Sequence, residues 1–135
     1  MSGRSYGSSP AGEQAVDLVL RVYEAFARRE MEAVMPLLAP DVHVDVPVTA
    51  QLAGRTGPYV GHDGMRRYLA DVERLWEDLR LSADDIRATG DGVLIFGRVD
   101  GRAGELTIRR RVVWVWQLRD GKVSSIRVSD LPAER

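Results

Sequence analysis

The sequence predicts an α+β domain: a strongly curved antiparallel sheet wrapped around helices, forming a cone with an interior pocket. Three observations predict it. Through Leu79 the apolar residues recur mostly at helical spacing. From Leu81 the period changes to two and holds to Ser129. Short turns containing Gly and Asp separate these later segments, as in an antiparallel meander.

Ser9 and Pro10 suit an N-cap and a first helical residue. Val16, Val19, Leu20, Tyr23, Phe26 and Ala27 then form a stripe, giving a first helix over about residues 10–29. A short second helix, Met31 to Leu38, contains Pro36, so a kink or a 3₁₀ turn is expected there. Asp41 to Pro47 alternates polar and apolar without a break, which is the pattern of a two-faced strand. Asp41, His43 and Asp45 lie on one face, and Val42, Val44 and Val46 on the other. Residues 48–60 read as a loop with a short return strand at Tyr59-Val60. A third helix carries Met65, Tyr68, Leu69, Val72, Leu75, Trp76 and Leu79 on one stripe, with Asp63 as its cap. Arg67, Asp71, Arg74 and Asp78 fall on its other face, where they can pair. Strands follow at Leu81–Ala88, Val93–Asp100, Glu105–Leu118 and Lys122–Ser129. Turns at 89–92 and 101–104, and a three-residue loop at Arg119-Asp120-Gly121, connect them.

Composition bounds the function. A chain of 135 residues suits one domain, placed at 10–131 between a flexible N-terminal tail (1–9) and a short C-terminal tail (132–135). Such a chain can bury roughly two-thirds of its unfolded surface without staples. Nineteen basic and 20 acidic residues give a net charge of −1, which argues against nucleic acid and a membrane surface as partners. With no cysteine there is no disulfide framework, thiolate nucleophile or Cys-ligated zinc. The N-terminus has no apolar core of a signal peptide, and no apolar run approaches the ~18 residues of a membrane helix. A soluble cytoplasmic protein is the expectation.

Leu38-Ala39-Pro40-Asp41-Val42, Val60-Gly61-His62-Asp63-Gly64-Met65 and Leu118-Arg119-Asp120-Gly121-Lys122-Val123 stand in an order and spacing that resemble the nuclear transport factor 2-like superfamily. Within it the chain looks most like the SnoaL-like branch, over about residues 12–131. That superfamily includes ketosteroid isomerase, limonene epoxide hydrolase, polyketide cyclases and non-catalytic binding domains, so fold alone does not select a function. The resemblance places the isomerase's base at Val46, its helix-one tyrosine at Val22 and its protonated aspartate at Trp114. The hydrolase's strand-one pair falls on Val44 and Val46, and its Arg-x-Asp near Gly97 and Val99. The final-strand aspartate of hydrolase and cyclase falls on Val128. The aligned positions are apolar.

Counting back from the last hairpin places Arg110, Val112, Trp114 and Trp116 on one face with Ile126, Val128 and Asp130. In this count Trp114 lies opposite Ile126, and Arg110 opposite Asp130. The resemblance makes this face the pocket wall, joined by Val44, Val46 and Tyr23. Such a pocket suits a small hydrophobic ligand with one or two polar anchors and no cofactor. Alternatively, Trp114 and Trp116 fill the cone and leave a structural module. In the enzymatic reading, Asp45 reaches the pocket through a bulge near Pro47 and acts as general base, assisted by His43, Tyr23 or Arg110. His43 and His62 are the only histidines, and no helical or hairpin ligand spacing joins them to a metal. Leu94, Phe96, Val113 and Val115 lie on the sheet's opposite face, which predicts a homodimer through that face.

Overall fold

The computed structural model describes residues 10–131; both expected tails and the Ser9 cap lie outside them. Helix α1 spans Pro10–Ala27 and buries Val16, Val19 and Val22. It stops two residues short of the expected end because Arg29 takes a left-handed backbone (φ 63°). Glu30 N then donates to Ala25 O and Arg29 N to Phe26 O, the pattern of a Schellman C-cap. Met31–Leu37 is a 3₁₀ helix throughout, in keeping with a Pro36 that lacks an N–H to donate.

Strand β1 is Leu38–Asp45, which begins earlier than the alternation suggested. The expected loop after it begins as a helix: α2, Pro47–Leu52, starts at a proline whose fixed φ suits a first helical position. Strand β2 is Tyr59–Val60 and helix α3 is Gly61–Leu75. Two expectations for α3 are corrected. The residue preceding the helix is Val60, with no side-chain cap; Asp63 lies inside the first turn and pairs with Arg66 at 3.0 Å. Trp76 is already extended (φ −96°, ψ 120°), so Trp76 and Leu79 leave the helix, and Leu79 joins strand β3, Asp78–Ala88. Asp71 pairs with Arg74 at 3.2 Å as expected, and it is also 3% exposed, because the segment before β2 folds back over it.

Strands β4 (Gly92–Ala103), β5 (Leu106–Arg119) and β6 (Lys122–Asp130) complete a sheet ordered β2-β1-β6-β5-β4-β3. The sheet is mixed rather than wholly antiparallel. β1 and β6 pair in parallel, since a long crossover through α3 and the meander separates them in the chain. The expected turn at Gly101 is also displaced: β4 runs on to Ala103 and the chain turns at Gly104-Glu105. Gly101 is instead a seat for an aromatic ring. A Cβ there would lie 2.7 Å from Trp76 Cζ3.

The last hairpin sets the register of the pocket wall. Asp120 and Gly121 both have positive φ (54° and 76°), and Arg119 pairs with Lys122. The connection is therefore a two-residue turn of the type Asp-Gly favours, not a three-residue loop. Ser124 is then an extra residue on β6, since Leu118 pairs with Val123 and Gln117 with Ser125. Turn and bulge each move the register by one residue in the same direction. Trp116 thus meets Ile126, Trp114 meets Val128, and Val112 meets Asp130. The pairs differ by two residues from those counted in the sequence. An even shift leaves every side chain on its expected face.

Candidate functional site: an apolar cavity between helices and sheet

The concave face of the sheet and the helices packed against it enclose a cavity of about 90 Å³. Helix α1 supplies Val22, Tyr23 and Phe26, whose spacing keeps them together above the sheet. β1 supplies Val44 and, at its end, Val46; β5 supplies Arg110, Val112, Trp114 and Trp116. β6 contributes Ile126, Val128 and Asp130. All ten side chains that the sequence placed at a pocket line this cavity. Trp114 and Trp116 are buried but do not fill the cone. Trp114 instead packs edge-on against Tyr23, with ring centroids 5.5 Å apart.

The alternation of β1 holds to its end. His43, Val44 and Asp45 stand in unbroken register with Ser125, Ile126 and Arg127. The irregularity in this pairing lies earlier, between Leu38 and His43. His43 is exposed and Asp45 half-buried, and neither lines the cavity. His43 Nδ1 is 3.1 Å from the Asp41 carbonyl oxygen, and the Asp41 carboxylate accepts from Arg119 on the last hairpin. The acidic face of β1 is thus used on the outside of the sheet.

Charge enters the cavity on β5 and β6. Arg110 Nη1 lies 3.4 Å from Asp130 Oδ2. The two are not directly opposed, since Val112 faces Asp130; they sit diagonally on the same sheet face. Burial, with the charge of Asp84 second, pushes the Tyr23 hydroxyl up to about 12, so it stays protonated at neutral pH. Among the described residues, no three His, Cys, Asp or Glu side chains converge as metal ligands.

Residues that sequence reasoning missed lie around the end of α3. Thr49 on α2 is 2% exposed and accepts the Trp76 indole N–H at 3.0 Å, and both line the cavity. Leu79, Leu81, Val99 and Ile108 extend the wall along β3, β4 and β5. The period-two pattern of Leu79 and Leu81 carried that signal; the α2 contribution had none, because 48–60 reads as turn-rich.

A family model for the SnoaL-like domain matches residues 19–126. The chain belongs to the SnoaL-like domain family. Solved structures agree with this. An NTF2-like protein of unknown function from Burkholderia pseudomallei is 25% identical, with a TM-score of 0.76, over 87% of this chain and 91% of its own. TerC, crystallised with polyporic acid, is 26% identical, with a TM-score of 0.75, over 87% of this chain and 92% of its own. A candidate SnoaL-like polyketide cyclase from Jannaschia sp. CCS1 is 18% identical, with a TM-score of 0.72, over 90% of this chain and 88% of its own, and shows the fold alone. No curated protein matches the sequence. No described helix of this SnoaL-like domain is long and apolar enough to cross a membrane.

Proposed function

We propose that this SnoaL-like domain binds a small hydrophobic molecule in the cavity, without turning it over. The observation that carries the reading is the cavity's chemistry. Its walls are aliphatic and aromatic side chains, and its one carboxylate, Asp130, is engaged by Arg110. An apolar wall with few polar groups is what a hydrophobic ligand needs. General acid–base work needs a group within reach of the substrate, and Asp45 and His43 face elsewhere. The co-crystallisation of TerC, which shares this fold, with polyporic acid supports a small-molecule role.

Titration of tryptophan fluorescence with polyporic acid and a panel of small hydrophobic ketones, phenols and acids tests the reading. Saturable quenching is expected, and Val128→Phe should abolish it by filling the cavity. Measurable isomerase, cyclase or epoxide hydrolase turnover by the purified protein would refute the non-catalytic part.

The outer sheet face supports a second copy as partner. Leu94 pairs with Val115 and Phe96 with Val113, and all four are only half-buried. A homodimer through this face would remove them from water.

A further inference from the structure

The cavity is smaller than the molecules it is proposed to hold. Its volume is about 90 Å³, whereas pockets for small organic ligands run from about 300 Å³ upward. A wall must therefore give way when a ligand enters. The sheet wall is tied by long backbone ladders. Helix α1 is anchored by buried Val19 and Val22, and α3 by buried Met65 and Val72. Helix α2 is held differently. It has six residues, too few for a helix stable by itself, and only Thr49 and Ala50 among them are buried. Val48 and Thr49 on its inner side close the cavity.

The segment around α2 can move as one piece. The Ala50 amide donates to Val46 O, Ala53 to Thr49 O, Gly54 to Gln51 O and Arg55 to Ala50 O, so these bonds close inside the segment. Gly54 has a left-handed backbone (φ 76°), and a Cβ added there or at Gly57 would meet nothing within 4 Å. Residues 54–58 are exposed and lie outside any helix or strand. Among the described residues, two side-chain ties hold the piece to the body of the domain. Trp76 donates to Thr49 at 3.0 Å, and Arg55 donates through Nε and Nη2 to Asp71 at 2.7 and 3.2 Å. The Arg55 tie is charged and bidentate, which makes it the stronger of the two. Helix α2 starts just past β1, whose last residue, Asp45, pairs with Arg127 of β6. It therefore stands beside the end of β6, where the cavity-lining Asp130 is largely exposed. The cavity meets solvent on that side.

We infer that residues 46–58 form a gate to the cavity, with α2 as its moving leaf and the Arg55–Asp71 pair as its latch. The inference rests on the small-molecule reading above and adds the route by which a molecule enters. Arg55 does not line the cavity; it is a positioning residue that sets how often α2 lifts.

The chain carries its own reporters. Its three tryptophans all line the cavity, and none is more than 7% exposed. Acrylamide, a small neutral quencher, reaches them only through an opening. Indole phosphorescence lives long enough to register openings on the timescale of lids. The experiment measures acrylamide quenching of this phosphorescence, and amide hydrogen exchange, on the full-length protein. It compares the wild type with Arg55→Gln, Arg55→Lys and Val19→Ala. Val19 is buried on α1 and outside the cavity wall, so Val19→Ala lowers global stability without touching the gate. In the wild type the Ala50, Ala53 and Gly54 amides should exchange at least about a hundredfold faster than those of β5, the mark of an opening smaller than unfolding. Arg55→Gln should raise both that exchange and the quenching rate about tenfold, as loss of a partly screened charged hydrogen bond provides. Arg55→Lys keeps the charge without the fork and should fall between. Val19→Ala should speed β5 exchange and leave α2 exchange and quenching as they are. Wild-type α2 amides that exchange no faster than β5 overturn the gate, even if Arg55→Gln fails to fold. A folded Arg55→Gln that quenches at the wild-type rate, or a Val19→Ala that quenches as fast as Arg55→Gln, also overturns it. Neither readout uses a ligand. Failure of polyporic acid and the hydrophobic panel to bind would remove the small-molecule reading and leave the gate motion standing.

Discussion

Trp76 donates its indole N–H to Thr49 Oγ1 at 3.0 Å, and this bond joins the end of α3 to α2 beneath the cavity wall. Both residues are buried, so neither atom has water as a substitute. Thr49→Val keeps the shape and removes the acceptor. The expected loss is about 1–3 kcal/mol, the cost of leaving a buried donor unmet. Urea unfolding measures it, with an unchanged slope showing that only stability moved. Thr49→Ser restores the oxygen and should recover most of the loss.

Asp71 makes the fold sensitive to acid. Its carboxylate accepts from Arg55 Nε at 2.7 Å, from the Tyr59 hydroxyl at 2.7 Å and from Arg74 at 3.2 Å. The Arg55 bond is the main reason its pKa falls from 3.8 to about 2. A depressed folded pKa gives stability that is fully present above the unfolded value, about 3.9, and lost as pH falls through about 2. The contribution is at most about 2 kcal/mol, because Arg55 is partly in solvent and its pull is screened. Denaturant midpoints measured from pH 5 to pH 2 should fall for the wild type, and Asp71→Asn should flatten that dependence between about pH 4 and 2. An equal slope in the two proteins would contradict this account.

Gly101 faces the ring of Trp76, and an added Cβ would meet Cζ3 at 2.7 Å and Leu79 Cδ1 at 3.1 Å. Gly101→Ala therefore overpacks the seat on which the indole rests. A loss of about 1–3 kcal/mol is expected. The displaced indole should also weaken its bond to Thr49. Gly101→Ala and Thr49→Val should then be less than additive in a double-mutant cycle.

The sequence carried the pocket's wall better than its register. Period two fixes which residues share a face, and the two one-residue errors at the last hairpin summed to an even shift. Trp114, Trp116, Ile126 and Val128 therefore reached the cavity although each partner was miscounted. A single error would have turned the whole of β6 outward relative to β5. The same rule kept Asp45 off the cavity, because β1 has no bulge between His43 and Asp45. Helix α2 and the burial of Asp71 were illegible for a different reason. Both depend on where residues 53–58 fold back, a tertiary event with no local period. Trp76 misled because it completes the helical stripe in sequence, yet the strand that follows pulls its backbone into an extended conformation.

The outer face yields the last prediction. Leu94, Phe96, Val113 and Val115 form a contiguous apolar band on two paired strands, and Arg98 stands opposite Arg111 beside it. A second sheet packed over the band would bury it, and the arginines would form part of a polar rim. Light scattering at micromolar concentration should give twice the chain mass. Phe96→Lys places a charge at the centre of the band and should yield the single-chain mass. The cavity lies on the other side of the sheet, so this variant should keep its ligand titration. A wild-type protein that scatters as a single chain would leave the band without its proposed cover.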